Sequence, residues 1–256
     1  MIDINRIFIT GATGKIGLQF VNNFLKKGFV VIFTSRKQDN IEALYDKFRP
    51  YYQEGKLHGI RVDLEAANAQ QIIIKFLQDK NIWPDVLINN ARNQDYLKSN
   101  SEFGPSRFEW VNEFLLDVVV AYELSMGLAC CKYSRLRNIV NISSMYGVVP
   151  ANPSLYENPK IESPIQYGVA KAALIHLTKE LAIRLIKNGV RVNSVSYGGV
   201  SGSEDEKFRE KYARLCPSGK MLQDEEAVGA VDFLASNMSK GMTGHNLVVD
   251  GGWTVW

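Results

Sequence analysis

The sequence predicts an α/β fold, a single domain built on a doubly wound, parallel, seven-stranded sheet. Three observations lead there. Strand-like apolar runs alternate with helix-like patterns along all 256 residues. A glycine-rich turn joins the first run to the first helix. The glycine turn, Asp63, Asn89, Ser144 and Gly198 all fall at or just after the ends of runs, and ligands of such sheets bind beyond the C-terminal strand edges.

Each element follows from its residues. Ile7, Phe8 and Ile9 form a short apolar run, LQFVNNFLKKG carries a helical apolar period stopped by Gly28, and Phe29 to Thr34 is a second run. Strands are expected over 6–10, 30–34, 57–62, 86–89, 138–142, 191–196 and 246–249. Helices are expected over 15–27, 38–48, 66–80, 107–133, 166–187 and 224–236. No repeat, low-complexity tract or linker divides residues 1–256. Three intervening segments, near 92–106, 145–166 and 198–222, are expected to be loops that meet a substrate.

The turn reads Thr10-Gly11-Ala12-Thr13-Gly14-Lys15-Ile16-Gly17. Glycines let the backbone bend tightly and approach a pyrophosphate, whose charge the helix N-terminus favours. In the order strand, turn, helix, strand, this reads as a dinucleotide site; the alternative is a glycine turn with no ligand. An acidic residue at the end of the second strand commonly accepts from the adenosine ribose of NAD. Here Ser35 stands in that place, with Arg36 and Lys37 after it. A hydroxyl followed by two cations attracts a 2′-phosphate, so NADP(H) is expected in preference to NAD(H), with Lys15 a further cation. Otherwise these are ordinary solvated basic residues.

A net charge of +3 gives no argument for nucleic acid. There is no run of eighteen apolar residues and no signal-peptide pattern, so a cytoplasmic protein is expected, without a membrane partner. Cys130, Cys131 and Cys216 lack metal spacing and are expected to be buried reduced thiols. The three histidines are scattered, and no metal site is expected.

Tyr167 and Lys171 stand one helical turn apart in QYGVAKAALIHLTKELA, and the strand before them ends in NISS. A free phenol is a weak acid that ionises only near pH 10 or so. An ammonium four residues later shares its helix face and favours the phenolate. With a serine hydroxyl to hold a carbonyl oxygen, the set can transfer a proton at an alcohol or ketone. The same spacing also occurs on surface helices without function.

Taken together, TGATGKIG, VDL, INNA, NISS, YGVAK, RVNSVSYGG and TGHNLVVDGGW resemble the short-chain dehydrogenase/reductase family from end to end. The resemblance implies a Rossmann-type domain in which Asp63, with Leu64, contacts the adenine and Asn89, Asn90 and Ala91 lie along the cofactor. It implies catalysis by Ser144, Tyr167 and Lys171, with Lys171 also holding the nicotinamide ribose. Gly198 and Val200 would sit near the carboxamide. The chain departs from the family at several points. The TGxxGxxG spacing is that of the family's extended branch, the NNAG glycine is Arg92, and Tyr197 replaces a proline. Asp117 stands where an asparagine often completes the catalytic set; it could hold a relay water or pair with Lys171. Between Ser144 and Tyr167 lie 22 residues, more than the family usually carries, rich in Pro and Asn. They resemble the oxidoreductases of bacterial surface-polysaccharide and flagellin-modification pathways.

Three functions compete. The first is an NADP(H)-dependent oxidoreductase interconverting a carbonyl and an alcohol. The second is a non-catalytic NADP-binding sensor or partner protein, and the third a sugar epimerase or dehydratase that retains its cofactor. Arg92, Arg107, Lys160, Arg209 and Arg214 lie in the three loop segments and suit an anionic sugar or sugar nucleotide, or are solvated surface charges. Segments 107–133 and 166–187 carry excess apolar residues, among them Leu115, Leu116, Val118, Val119, Leu124 and Met126; part of the excess is expected to cover the sheet and the remainder to pack helices between subunits. The resemblance implies a homodimer on these helices, or a homotetramer that also uses the C-terminal WTVW.

Overall fold

Parallel strands covered on both faces need apolar residues at nearly every position, and this chain supplies them. The computed structural model describes residues 4–97 and 104–255. Strand β1 (Arg6–Ile9) leads to α1 (Lys15–Lys26), then β2 (Val30–Ser35), α2 (Gln38–Lys47), the short α3 (Arg49–Gln53) and β3 (Leu57–Arg61). Next come α4 (Ala69–Lys80), β4 (Val86–Asn89), α5 (Arg107–Phe114), a π turn (Leu115–Val119) and α6 (Val120–Cys130). After β5 (Asn138–Ser144) follow α7 (Pro159–Glu162), α8 (Ile165–Leu185), β6 (Arg191–Tyr197), α9 (Glu206–Leu215), α10 (Val228–Ala235) and β7 (Asn246–Val249).

The seven strands form one parallel sheet in the order β3-β2-β1-β4-β5-β6-β7. The order reverses between β1 and β4, and that switch point opens a crevice at the C-terminal strand ends. Alternate side chains divide the core in two. Ile7, Ile9, Val31, Phe33 and Val140 face α1, α2 and α10. Phe8, Ile32, Leu87 and Ile139 face α4, α6 and α8. Each fully buried Phe, Leu or Ile contributes roughly 1.5–3 kcal/mol.

The seven expected strands are all present. β5 and β6 run farther than expected, to Ser144 and Tyr197, because their pairing continues through polar residues. The helix expected over 107–133 is interrupted by the π turn and ends at Cys130. The segment 198–222 is not all loop: it contains α9, capped by Asp205 and burying little beyond Tyr212. The cysteines are free, but Cys216 alone is buried; Cys130, in the last turn of α6, is exposed, which corrects the expectation of three buried thiols. Of the loop expected at 92–106, residues 98–103 lie outside the described residues, as does Trp256 of the terminal WTVW.

A third, smaller core holds the long segment after β5. Met145 and Leu155 pack with Tyr212, Cys216, Met221 and Trp253, and Tyr146 Oη lies 2.7 Å from Tyr156 Oη. Lys207 of α9 pairs with Glu157. The inserted segment is thus anchored to α9 and the C-terminal region.

Asp85, fully buried before β4, accepts hydrogen bonds from the amides of Asn5 and Arg6 at 3.1 and 3.0 Å and from Arg135 Nε at 3.1 Å. It ties the N-terminal ends of β1 and β4 together. Asp85→Ala would take the shared acceptor from two part-buried amides and from Arg135 and is expected to cost about 1–3 kcal/mol in urea denaturation; a loss below about 0.5 kcal/mol would contradict this.

Candidate active site

The glycine turn owes its shape to close contact with the end of β4. Gly11 has φ +64°, and a Cβ there would lie 2.8 Å from Ala91 Cα. A Cβ on Gly17 would lie 2.1 Å from Gly11 O. Thr10 Oγ1 accepts from the amides of Asn90 and Ala91 at 2.9 and 3.0 Å, and Asn90 Nδ2 donates to the Thr10 and Gly11 carbonyls at 3.0 and 3.1 Å. Asn90 therefore clamps the turn. Asn89 turns inward, donating to Asn141 Oδ1 at 2.8 Å and Ser125 Oγ at 3.3 Å.

A cleft of about 530 Å³ opens beside this turn. Gly11, Thr13, Gly14, Lys15, Ile16 and Gly17 line one part of it, and Ser35, Arg36, Asp63, Leu64, Asn90 and Ala91 another. Helix α1 begins there with no side-chain cap and no acid in its first turn, so its first amides are free for an anion. Thr34 Oγ1, also at the cleft, is buried with no hydrogen-bond partner. A polar cleft with an uncapped helix start fits a dinucleotide, which the first amides of α1, Ser35 and Asp63 would hold.

The cations around the cleft are not equivalent. Lys15 is paired with Asp224 at 3.0 Å and is not the free cation its place in the turn suggested. Arg36 is exposed and only 3.9 Å from its nearest acid, Glu65. Ser35 Oγ bonds the backbone of Lys37, accepting from its amide at 3.3 Å. Asp63 Oδ1 accepts from the Glu65 amide at 3.1 Å.

The second group of residues gathers where β5 meets α8. Ser144 ends β5, and its Oγ accepts from the Tyr146 amide at 3.2 Å, which leaves its hydrogen free to donate. Ser143 is spent on the scaffold, donating to Lys171 O at 3.0 Å. Lys171 is buried; its Nζ donates to Ile142 O at 3.0 Å and contacts Asp117 Oδ2 at 2.9 Å. Of the two roles open to Asp117, the geometry realises the pairing with Lys171. Burial pushes the Asp117 carboxyl up, and the Lys171 charge opposes that shift.

Two cations lie near the Tyr167 ring. Lys171 Nζ is 5.5 Å and the Arg92 guanidinium 4.8 Å from its ring centroid, within cation–π range. Arg92 thus reaches the candidate acid–base group itself. Arg209 and Arg214 do not reach it: the first bonds Glu204 O and the second Glu210, both on their own segment. Arg107 is exposed on α5. Lys160 borders an apolar cavity of about 780 Å³ with Val148, Val149, Ile165 and Val169, which contains neither Ser144 nor Tyr167. Gly198 N–H donates to Val249 O at 2.9 Å and Val200 pairs with Leu222; a Cβ on Gly202 would lie 3.3 Å from Lys15 Nζ, so the segment after β6 returns toward the glycine turn.

Glu113 was not apparent as a site residue in the sequence. It is 2% exposed, in the last turn of α5, with Oε1 lacking any hydrogen-bond partner. Burial first, and then the Asp117 charge, raise its carboxyl to about 7. The one available signal was its spacing, one helical turn before Asp117. Among the described residues, no group of His, Cys, Asp and Glu side chains is gathered in a metal-binding arrangement.

A family model described as enoyl-(acyl carrier protein) reductase matches residues 11–254. Over 255 residues the chain is 28% identical to post-translational flagellin modification protein A of Campylobacter coli, covering 99% of both. Over 258 residues it is 31% identical to the 3-oxoacyl-(acyl-carrier-protein) reductase FabG of Buchnera aphidicola subsp. Acyrthosiphon pisum, covering 98% of both. The solved structure of a short-chain dehydrogenase from Leptospira borgpetersenii serovar Hardjo-bovis with bound NAD+ matches with a TM-score of 0.84 at 29% identity, covering 98% of this chain and 92% of that one.

The raised Glu113 carboxyl has a consequence for stability. The folded protein keeps a proton that the unfolded chain releases from 4.5 upward, so the stability linked to this group is complete below pH 4.5 and lost as pH rises through about 7. Glu113→Gln removes the dependence. In urea denaturation the stability of the variant relative to the unmodified protein should therefore rise by roughly 2 kcal/mol between pH 5 and pH 8. A difference that stays constant with pH would contradict the assignment.

Proposed function

The chain belongs to the short-chain dehydrogenase/reductase family, and from that membership we propose an NADP(H)-dependent oxidoreductase that interconverts a carbonyl and an alcohol. The observation that carries the proposal is Lys171, fixed by Ile142 O and Asp117 and over the Tyr167 ring, in a small pocket that shares Ala91 and Leu116 with the cleft suited to a dinucleotide. The nicotinamide cofactor supplies or accepts the hydride. Ser144 holds the substrate oxygen with its free hydroxyl hydrogen, and Tyr167 exchanges the proton with that oxygen. Lys171, fixed by Ile142 O and Asp117, steadies the phenolate and reaches for the cofactor ribose. Gly198 and Val200 border the carboxamide end.

Preference for NADP(H) rests on Ser35 and the loosely held Arg36. The three free cysteines suit a reducing, cytoplasmic compartment, and among the described residues no helix is long and apolar enough to cross a membrane. For the substrate we favour an anionic sugar or sugar nucleotide of surface-glycan or flagellin modification, gripped by Arg92 above Tyr167. Likeness to the flagellin modification protein supports that class. The apolar cavity and the likeness to the 3-oxoacyl reductase support a second candidate, a β-keto acyl thioester.

A non-catalytic NADP-binding role has one footing, the pairing of Lys171 with a carboxylate. Leu124 is buried in this chain's own core and Leu116 and Met126 pack against it, so a homodimer is favoured instead by the exposed apolar side chains of α5 and α6 (Phe108, Val111, Tyr122) and of α8 (Ile165, Val169, Ile183). A tetramer would need a further surface.

Three outcomes test these proposals. NADP(H) should bind at least about tenfold tighter than NAD(H), a gap of about 1.4 kcal/mol, and Arg36→Ala should narrow it by weakening NADP(H) alone; equal dissociation constants for both cofactors would refute the preference. In a screen of keto-sugar nucleotides, ketoses, β-keto acyl thioesters and simple ketones followed by NADPH absorbance, Tyr167→Phe should cut turnover about 10²-fold or more while cofactor affinity holds. Full activity of that variant would rule out the acid–base role. Light scattering at micromolar concentration should give at least twice the chain mass, and a monomer would refute the assembly.

A further inference from the structure

Glu113 has no part in binding the cofactor or in the proton exchange at Tyr167, yet it is a carboxyl buried without a partner for Oε1. Burying an unpaired acid is costly, and an apolar side chain of the same size would pack at that position without the penalty. Its surroundings give the acid a task. From the π turn, Asp117 lies one turn ahead of it, in contact with Lys171. Lys171 of α8 and Arg92, after β4, both act on the Glu113 charge, and both lie over the Tyr167 ring. After β3 stands Glu65, which accepts from Tyr96 Oη at 2.9 Å and is 3.9 Å from Arg36. On its own helix, Glu109 is occupied in capping Ser106.

We propose that Glu113 is a positioning residue whose gain and loss of a proton sets the charge around Tyr167. With Glu113 neutral, Arg92 and Lys171 against Asp117 leave one net positive charge at the tyrosine; with Glu113 ionised, the same groups sum to zero. The inference rests on Tyr167 being the acid–base group. During carbonyl reduction, the reduced nicotinamide would supply the hydride, its C4–H bond breaking as it is oxidised while the new substrate C–H bond forms and the carbonyl π pair moves to oxygen. The Tyr167 O–H bond breaks, its proton passes to that oxygen, and its electron pair remains as phenolate. A net positive surrounding favours that separation, so reduction is fast while Glu113 is neutral and slows as it ionises. Burial and Asp117 place the change near neutral pH.

Infrared titration of the free protein tests the titrating group without a substrate. The C=O stretch of a protonated carboxyl should disappear between pH 6 and pH 8 and be missing in Glu113→Gln. Asp117→Asn should move the midpoint down and Lys171→Met should move it up, each by about half a unit or more. Turnover of the ketone most active in the screen above should fall roughly tenfold over the same range. It should stay level in Glu113→Gln and fall again in Glu113→Asp, which keeps a titrating carboxyl. An unchanged infrared band in Glu113→Gln, or a midpoint insensitive to Asp117 and Lys171, overturns the proposal. Coincident pH profiles of the unmodified protein and Glu113→Gln do the same. Should no ketone turn over, the oxidoreductase reading fails on its own, while the infrared midpoints still decide whether Glu113 is coupled to the pair.

Discussion

The site depends on one buried ammonium. Lys171 Nζ is held between a strand carbonyl, Ile142 O, and the Asp117 carboxylate. A charge so deeply buried persists only when it is paired and hydrogen-bonded. That requirement fixes the register of α8 on β5. Ser143 donates to the Lys171 carbonyl, and Gly147 lies so close to Lys171 that a Cβ would come within 2.7 Å of its carbonyl carbon. Farther along, Gln166 Nε2 donates to Tyr96 O at 2.6 Å, linking the start of α8 to the segment after β4. Tyr167 takes its position from these contacts, and the π turn brings Asp117 to meet the lysine.

Much of the fold was legible because parallel strands buried on two faces leave an unbroken apolar signature. The runs Ile7–Ile9, Val31–Phe33 and Val86–Ile88 are all fully buried. What the pattern hid was polar or local in cause. Ser143, Ser144 and Tyr197 extend the pairing of β5 and β6 by backbone hydrogen bonds that side-chain hydrophobicity does not report. The π turn in Leu115–Val119 leaves the apolar run unbroken, so nothing in the residue types marks it. Helix α9 is amphipathic but mostly charged and buries one large side chain, Tyr212, so by composition it resembles a polar loop.

The candidate site divides along the same line. The glycine turn and the Tyr167–Lys171 pair are local motifs whose spacing carries their geometry, and they were read from sequence. Charges brought together by loops were harder. Arg92 and Arg214 look alike as loop cations, but the first lies over Tyr167 while the second is held by Glu210 four residues away. Lys15 is drawn to Asp224, distant in sequence, which spacing could not foretell. Glu113 resembles any helix-face acid until the packing of α5 against α8 shows it buried.

On the proposed function, the chemistry would fall where the cleft beside α1 meets, at Ala91 and Leu116, the pocket that holds Lys171 and Asp117. The most direct test is a crystal structure of the complex with NADP+. The account predicts the 2′-phosphate against Ser35 and Arg36, the pyrophosphate at the start of α1, and the nicotinamide ring beside Tyr167 with its ribose on Lys171. A cofactor bound with its nicotinamide away from Tyr167, or lodged in the apolar cavity behind α8, would contradict it.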